Sequence, residues 1–148
     1  MKNKVKFMSE TILIPKKSVG IFNINDRIKN YTYLHHTKEH HIEKYFSYDS
    51  YDFNVKGMVL WVENDEIESI CCSESCYLND KNLILMPFDK FLSEYNAIPD
   101  SSEKIYLLVN GRGQNQIVYE FETLGLQIWV WRGKIRTVIA NNYVEENE

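Results

Sequence analysis

Two stretches of the chain place apolar residues at every second position. In Met58–Glu63 these are Met58, Leu60 and Val62; in Leu126–Trp131 they are Leu126, Ile128 and Val130. That period predicts half-buried strands. Each stretch meets a short turn, Asn64-Asp65 or Arg132-Gly133, and then a second run, Glu66–Cys71 or Lys134–Asn141. The pattern predicts two hairpins. Further strands are expected at Thr11–Ile14, Ile105–Val109 and Ile117–Phe121. The aromatic-rich stretch Ile42–Phe53 reads as a strand pair broken near Asp49-Ser50, and Tyr77–Ile84 as a smaller hairpin around Asn79-Asp80. Helical spacing is confined to Pro87–Tyr95, where Phe88, Phe91, Leu92 and Tyr95 share one face behind a first-turn proline. A second, shorter helix is expected at Asn25–Tyr31, capped by Asn25-Asp26. His35–His41 reads as a polar connection and Asn110–Asn115 as a glycine-containing loop.

The two hairpin regions are copies. Tyr51–Ile70 aligns with Tyr119–Val138 at a constant offset of 68, with no gap and six of twenty positions identical. A fixed offset marks a duplicated supersecondary unit. The expected fold class is therefore α+β: an antiparallel sheet from two related helix-plus-hairpin repeats, with the helices on one face. One domain is expected over 1–148, with repeat units near 20–72 and 83–140. Residues 1–10 and 143–148 are expected to be flexible.

Two-residue turns would fix the register. Leu60 would oppose Ser69, Ile128 would oppose Thr137, and Cys71 would join the core face with Met58, Val62, Ile67, Leu126, Val130 and Ile135. The opposite face would carry Trp61, Glu63, Glu66 and Glu68 in the first copy, and Trp129, Trp131, Lys134 and Arg136 in the second. The scaffold positions match, while Glu68 facing Trp61 becomes Arg136 facing Trp129, a cation–π arrangement. Trp and Arg are common interface anchors. Large aromatics are also the usual content of cores, so Trp61 and Trp129 suit burial as well as display. Trp131, Glu63, Glu66 and Lys134 read as surface.

Charge sharpens the expected partner. Of the net charge of −4, residues 1–17 hold five Lys against one Glu, leaving the rest at −8. A mildly acidic body predicts no direct nucleic-acid binding and favours a basic protein partner. No apolar run is long enough for a transmembrane span, so no membrane association is expected. Thr11–Ile14 is too short for a signal-peptide core, and three cysteines fit a reducing compartment. The expected localisation is cytoplasmic.

Candidate chemistry is sparse. His36 and His40 would share a face only on a helix, and Cys71, Cys72 and Cys76 lack the paired spacing of a zinc site. A polar loop and core thiols account for these residues more simply. The glycines of Asn110–Gln114 lack the Lys-Ser/Thr and the following helix of a phosphate loop. Gly57 and Gly125 match across the copies, which implies a backbone role. Neither a catalytic residue, nor a metal ligand, nor a cofactor is assigned.

The string Gly57–Trp61 with Ile67–Ile70, repeated as Gly125–Trp129 with Ile135–Val138, resembles the tandem modules of the beta-lactamase-inhibitor-like group. It is also similar to small bacterial immunity proteins that neutralise polymorphic toxins, including those of contact-dependent growth inhibition. The resemblance implies a non-enzymatic protein that inhibits a cognate toxin domain by tight binding, without a cofactor. A basic toxin such as a nuclease would suit the acidic residues. Two other readings stand beside it: a metal-binding enzyme or sensor built on His36, His40, Cys72 and Cys76, and a self-associating structural protein using the tryptophan-bearing face.

Overall fold

Alternating apolar residues, β-branched and aromatic content and a series of tight turns drive most of this chain into strands. A computed structural model describes residues 10–142. Most of the basic segment at 1–10 and all of the acidic tail at 143–148 lie outside the described residues. The strands are β1 (Leu13–Ile14), β2 (Ser18–Val19), β3 (Phe22–Asn23), β4 (Thr37–Ile42), β5 (Ser47–Asp52), β6 (Met58–Glu63) and β7 (Glu66–Cys72). They continue as β8 (Tyr77–Leu78), β9 (Lys81–Asn82), β10 (Ser101–Val109), β11 (Arg112–Phe121), β12 (Leu126–Trp131) and β13 (Lys134–Asn141). A 3-10 turn covers Ile28–Asn30, and one α-helix, α1, covers Phe88–Glu94.

Eight strands form one antiparallel sheet in the order β10-β11-β12-β13-β7-β6-β5-β4. Two four-stranded meanders, β4–β7 and β10–β13, therefore meet at the β13/β7 seam. Val138 pairs with Cys72, Ala140 with Ile70, and Ile139 with Cys71 between them. At an offset of 68 the first two pairs exchange and the third maps onto itself. An approximate two-fold axis thus passes through the sheet at Cys71 and Ile139.

This architecture corrects the α+β expectation. The protein is mostly β, and its repeating unit is a four-stranded meander rather than a helix plus a hairpin. The helix expected at Asn25–Tyr31 shrinks to a 3-10 turn because a hairpin tip captures its backbone. Asn25 N–H donates to Ile67 O (2.7 Å), Ile28 N–H to Asp65 O (2.9 Å), and Ile67 N–H to Asp26 O (2.9 Å). Asp26 still acts locally, accepting from Arg27 N–H (2.9 Å) and from the Tyr31 hydroxyl (2.8 Å). The tyrosine bond holds the Asp26 carboxyl below its ordinary pKa. The second copy clasps its hairpin the same way, with Leu85 N–H to Ile135 O (2.7 Å), Ile135 N–H to Met86 O (3.0 Å) and Phe88 N–H to Gly133 O (2.8 Å).

The connection expected at His35–His41 is largely strand β4, and Asn110–Asn115 is a two-residue turn, Asn110-Gly111, inside a long β10–β11 hairpin. The break expected near Asp49-Ser50 falls at Glu43–Phe46 instead, so those two residues sit within β5. One face of the sheet packs against β1–β3, the 3-10 turn and α1. Met58, Leu60, Val62, Ile67, Ile128 and Ile135 are buried there with Phe22, Phe53, Leu83 and Phe91.

Candidate functional site

The opposite face of the sheet carries the sequence-predicted site residues, and two matched β-bulges decide how. Val62 pairs with Ile67, but Trp61 pairs with Ser69, leaving Glu68 as the extra residue. Val130 pairs with Ile135, but Trp129 pairs with Thr137, leaving Arg136 as the extra residue. A bulge turns an unpaired residue and shifts everything beyond it by one place. Several expectations are corrected as a result. Leu60 opposes Ile70 and Ile128 opposes Val138, so Ile70 and Val138 join the core face. Ser69, Thr137 and Cys71 move to the open face, while Cys72 is buried against the core.

Partners directly opposite in the ladder share a face. In the first meander Trp61 lies opposite Ser50 on β5, and Val59 opposite Cys71 on β7. Trp129 takes the same place in the second, opposite Val118 on β11 and Thr137 on β13. The two indoles therefore stand on β6 and β12, strands that lie three spacings or about 14 Å apart, and they are also staggered along the sheet, since the row of Trp61 runs through Ser69 to Asn141 and that of Trp129 runs to Thr137. A cleft of ≈ 550 Å³ lies between them, lined by Cys71, Thr137, Ile139 and Arg136 as well as both indoles. The two-fold axis runs through this cleft.

Hydrogen bonds orient the second indole. Trp129 Nε1–H donates to Gln127 Oε1 (2.7 Å), and Gln127 Nε2–H donates to Glu120 Oε1 (2.6 Å). Arg136 does not stack on Trp129, as the unbulged register required. Its guanidinium lies 5.3 Å from the Trp131 ring centroid, and that of Arg132 lies 4.4 Å away. Beside them Gln116 Nε2–H donates to Gln114 Oε1 (2.9 Å), and Gln116 Oε1 is buried without a partner.

The first copy has the opposite character. Trp61 also borders a groove of ≈ 320 Å³ lined by Phe46, Tyr48, Glu63 and Glu68. Phe46 and Tyr48 stack with centroids 6.0 Å apart, and Tyr48 stacks on His41 at 4.6 Å. Burial, reinforced by the neighbouring Glu63 carboxylate, pushes the Glu68 carboxyl above its ordinary pKa. Glu66 and Lys134 pair with Glu63 and Trp131 beside the hairpin turns and are exposed. Phe46, Tyr48, Gln114 and Gln116 were not singled out from sequence. Extending the 68-residue offset upstream would have aligned Phe46 with Gln114 and Tyr48 with Gln116, both on the face that carries the indoles.

The histidines and cysteines do not converge. His36 Nδ1 lies 2.8 Å from Leu34 O, while His40 Nδ1 lies 2.6 Å from Asp49 Oδ1. The helix that would align them does not form, since β4 begins at Thr37. No group of three or more His, Cys, Asp or Glu among the described residues could hold a metal ion. Cys71, Cys72 and Cys76 are free. Burial pushes the Cys71 thiol up to about 12. Cys72 is also pushed up, first by its contact with the Cys76 thiol and then by burial. Because only the thiolate reacts readily, Ellman's reagent at pH 8 should label the native protein roughly a hundredfold or more slowly than free cysteine. All three thiols should react once urea unfolds it. Prompt labelling of Cys71 in the native state, located by peptide mapping, would contradict the environment assigned to it.

Fold and site together define an antiparallel β protein with one buried face and one open, bipolar face. Compared with known proteins, the chain matches no family model, no curated protein and no solved structure. No helix among the described residues is long and apolar enough to cross a membrane.

Proposed function

We propose that this chain is a non-enzymatic binding protein of the immunity type, which neutralises a toxin domain in the cytoplasm by holding it against the open sheet face. The observation that carries the reading is the duplicated face itself. Two indoles flank a cleft at equivalent positions, and the charges around them have opposite sign in the two copies. Aromatic and Arg anchors around a partly buried centre are what protein interfaces use for affinity. Complementary charge sets orientation and association rate. The acidic end, with Glu63, Glu66 and Glu68, favours a basic partner such as a nuclease. A reducing compartment accords with three unpaired cysteines.

Capture from native lysate with tagged protein tests this, followed by assay of the captured polypeptide for toxin activity. The expected result is a toxin polypeptide that one equivalent of the chain inhibits. Trp129→Ala with Trp131→Ala should weaken that inhibition by roughly a hundredfold or more, as for paired hot-spot residues, with the far-UV spectrum unchanged. Full inhibition by the double variant would remove the face from the mechanism. A captured protein whose activity is untouched would remove the immunity reading.

A further inference from the structure

We propose that the groove lined by Phe46, Tyr48, Trp61, Glu63 and Glu68 is the receptor for one arginine side chain of the protein partner. The inference rests on the reading of this face as partner-binding, and it assigns the chemistry of one end. Three aromatic rings and two carboxylates line a space of ≈ 320 Å³, near the lower end of ligand-pocket volumes and suited to a single side chain. Aromatic faces attract cations through the ring quadrupole, and more strongly when water is excluded. The carboxylates come from adjacent strands, Glu63 from β6 and Glu68 from the bulge of β7.

The Glu68 and Glu63 carboxyls hydrogen-bond each other, but no cationic side chain within the described residues pairs with either. The Lys and His ion pairs join Lys38 and His40 to Asp49, His41 to Glu39, Lys56 to Glu74 and Lys81 to Glu94. None reaches Glu63 or Glu68. Two like charges held together beside apolar rings are unfavourable alone and become favourable when a cation enters.

The second copy shows how a guanidinium sits on this scaffold. At the 68-residue offset, Trp131 stands where Glu63 stands, and Arg136 where Glu68 stands. There the Arg136 guanidinium lies over the Trp131 ring at 5.3 Å. The same bulge geometry in the first copy offers carboxylates instead, so the guanidinium must be supplied from outside. Arginine fits better than lysine. Its planar fork stacks on a ring and bonds two carboxylates at once, whereas an ammonium is a compact, strongly hydrated point charge.

The test is a titration of ¹⁵N-labelled protein with N-acetyl-arginine amide, following the Trp61 indole N–H signal, assigned with a Trp61→Phe variant. N-acetyl-lysine amide and the neutral isostere N-acetyl-citrulline amide serve as comparisons. The arginine probe should shift the Trp61 signal saturably and leave those of Trp129 and Trp131 in place. The lysine probe should bind at least threefold more weakly, and the citrulline probe should cause no saturable shift. Glu63→Gln with Glu68→Gln should weaken arginine binding at least tenfold, and Glu68→Gln alone at least threefold. An equal response to citrulline, an unchanged affinity in the glutamine variants, or lysine binding as tight as arginine would each overturn the assignment. No partner protein is needed, so failure here leaves the capture experiment to decide the immunity reading, and failure there leaves this receptor standing.

Discussion

Truncating Phe22 to alanine should destabilise the protein by about 3–5 kcal/mol, the usual cost of removing a buried aromatic side chain. Phe22 is fully buried, with its ring 5.0 Å from Tyr31 and 4.8 Å from Phe53. These contacts join three parts of the chain: the small β1–β3 sheet, the 3-10 turn, and the residue that follows β5. The layer over the buried sheet face is thin here, three two-residue strands and a turn, and it has little capacity to collapse into the space left. The loss would be a large share of the roughly 5–15 kcal/mol net stability of a domain. Urea unfolding followed by fluorescence measures it, as a lower midpoint with an unchanged slope. Tyr45→Ala is the control, because Tyr45 is 85% exposed and its removal should cost at most about 0.5 kcal/mol. A Phe22→Ala cost near that of the control would mean that β1–β3 is not a structural part of the core.

The layer matters for the open face as well. Backbone bonds from Asn25, Asp26 and Ile28 grip the β6–β7 hairpin at Asp65 and Ile67, immediately beside the bulge that carries Glu68. Leu85, Met86 and Phe88 grip the other hairpin beside Arg136. Each clasp fixes one hairpin from its buried side, so the residues presented on the other side are held by rigid elements rather than by loops. Such support keeps a binding surface preorganised, which lowers the entropy lost on association.

Much of the sheet was legible in the sequence because its cause is local. Period-two burial at Met58, Leu60 and Val62, and at their copies, needs no knowledge of distant contacts. The turns were legible for the same reason, since Asn64-Asp65 and Arg132-Gly133 take the positive φ values that a two-residue hairpin demands. The bulges left a trace that simple alternation missed. Ile67 and Ile70 are three apart, as are Ile135 and Val138, and a strand cannot bury both members of such a pair without one extra residue between them. Glu68 and Arg136 were thus placed on the correct face, and Glu68 does share a groove with Trp61, but Arg136 was assigned to Trp129 and lies over Trp131 instead. The helix expected at Asn25–Tyr31 failed for a non-local reason: its backbone donors and acceptors are used by a hairpin some forty residues away in sequence, a tertiary override that propensity does not encode. The acidic groove was invisible because Phe46 and Tyr48 join Trp61 only through pairing of β5 with β6.

Gly125→Ala should destabilise the protein by about 3 kcal/mol or more, summing the left-handed penalty of about 1–2 kcal/mol and a backbone collision. Gly125 has φ +63°, and a Cβ there would meet Asn141 O at 2.4 Å and Lys16 Cγ at 2.7 Å. The Lys16 side chain would have to change its χ1 rotamer, and the carbonyl cannot yield, because Asn141 N–H donates to Gly125 O (2.9 Å) and closes the end of the β12–β13 ladder. Gly133 separates the two contributions. It has φ +75°, and a Cβ there would meet nothing within 4 Å, so Gly133→Ala should cost only the conformational share, about 1–2 kcal/mol. The excess in Gly125→Ala measures the close approach alone. Gly125 immediately precedes β12, which carries Trp129 four residues later, so a shift at this point also moves the indole. The Trp129 Nε1–H signal, fixed by its bond to Gln127, should move in Gly125→Ala and stay in place in Gly133→Ala. Equal destabilisation by the two substitutions would show that the β12 start is free to yield, and that Trp129 owes its position to the bulge and not to the glycine beneath it.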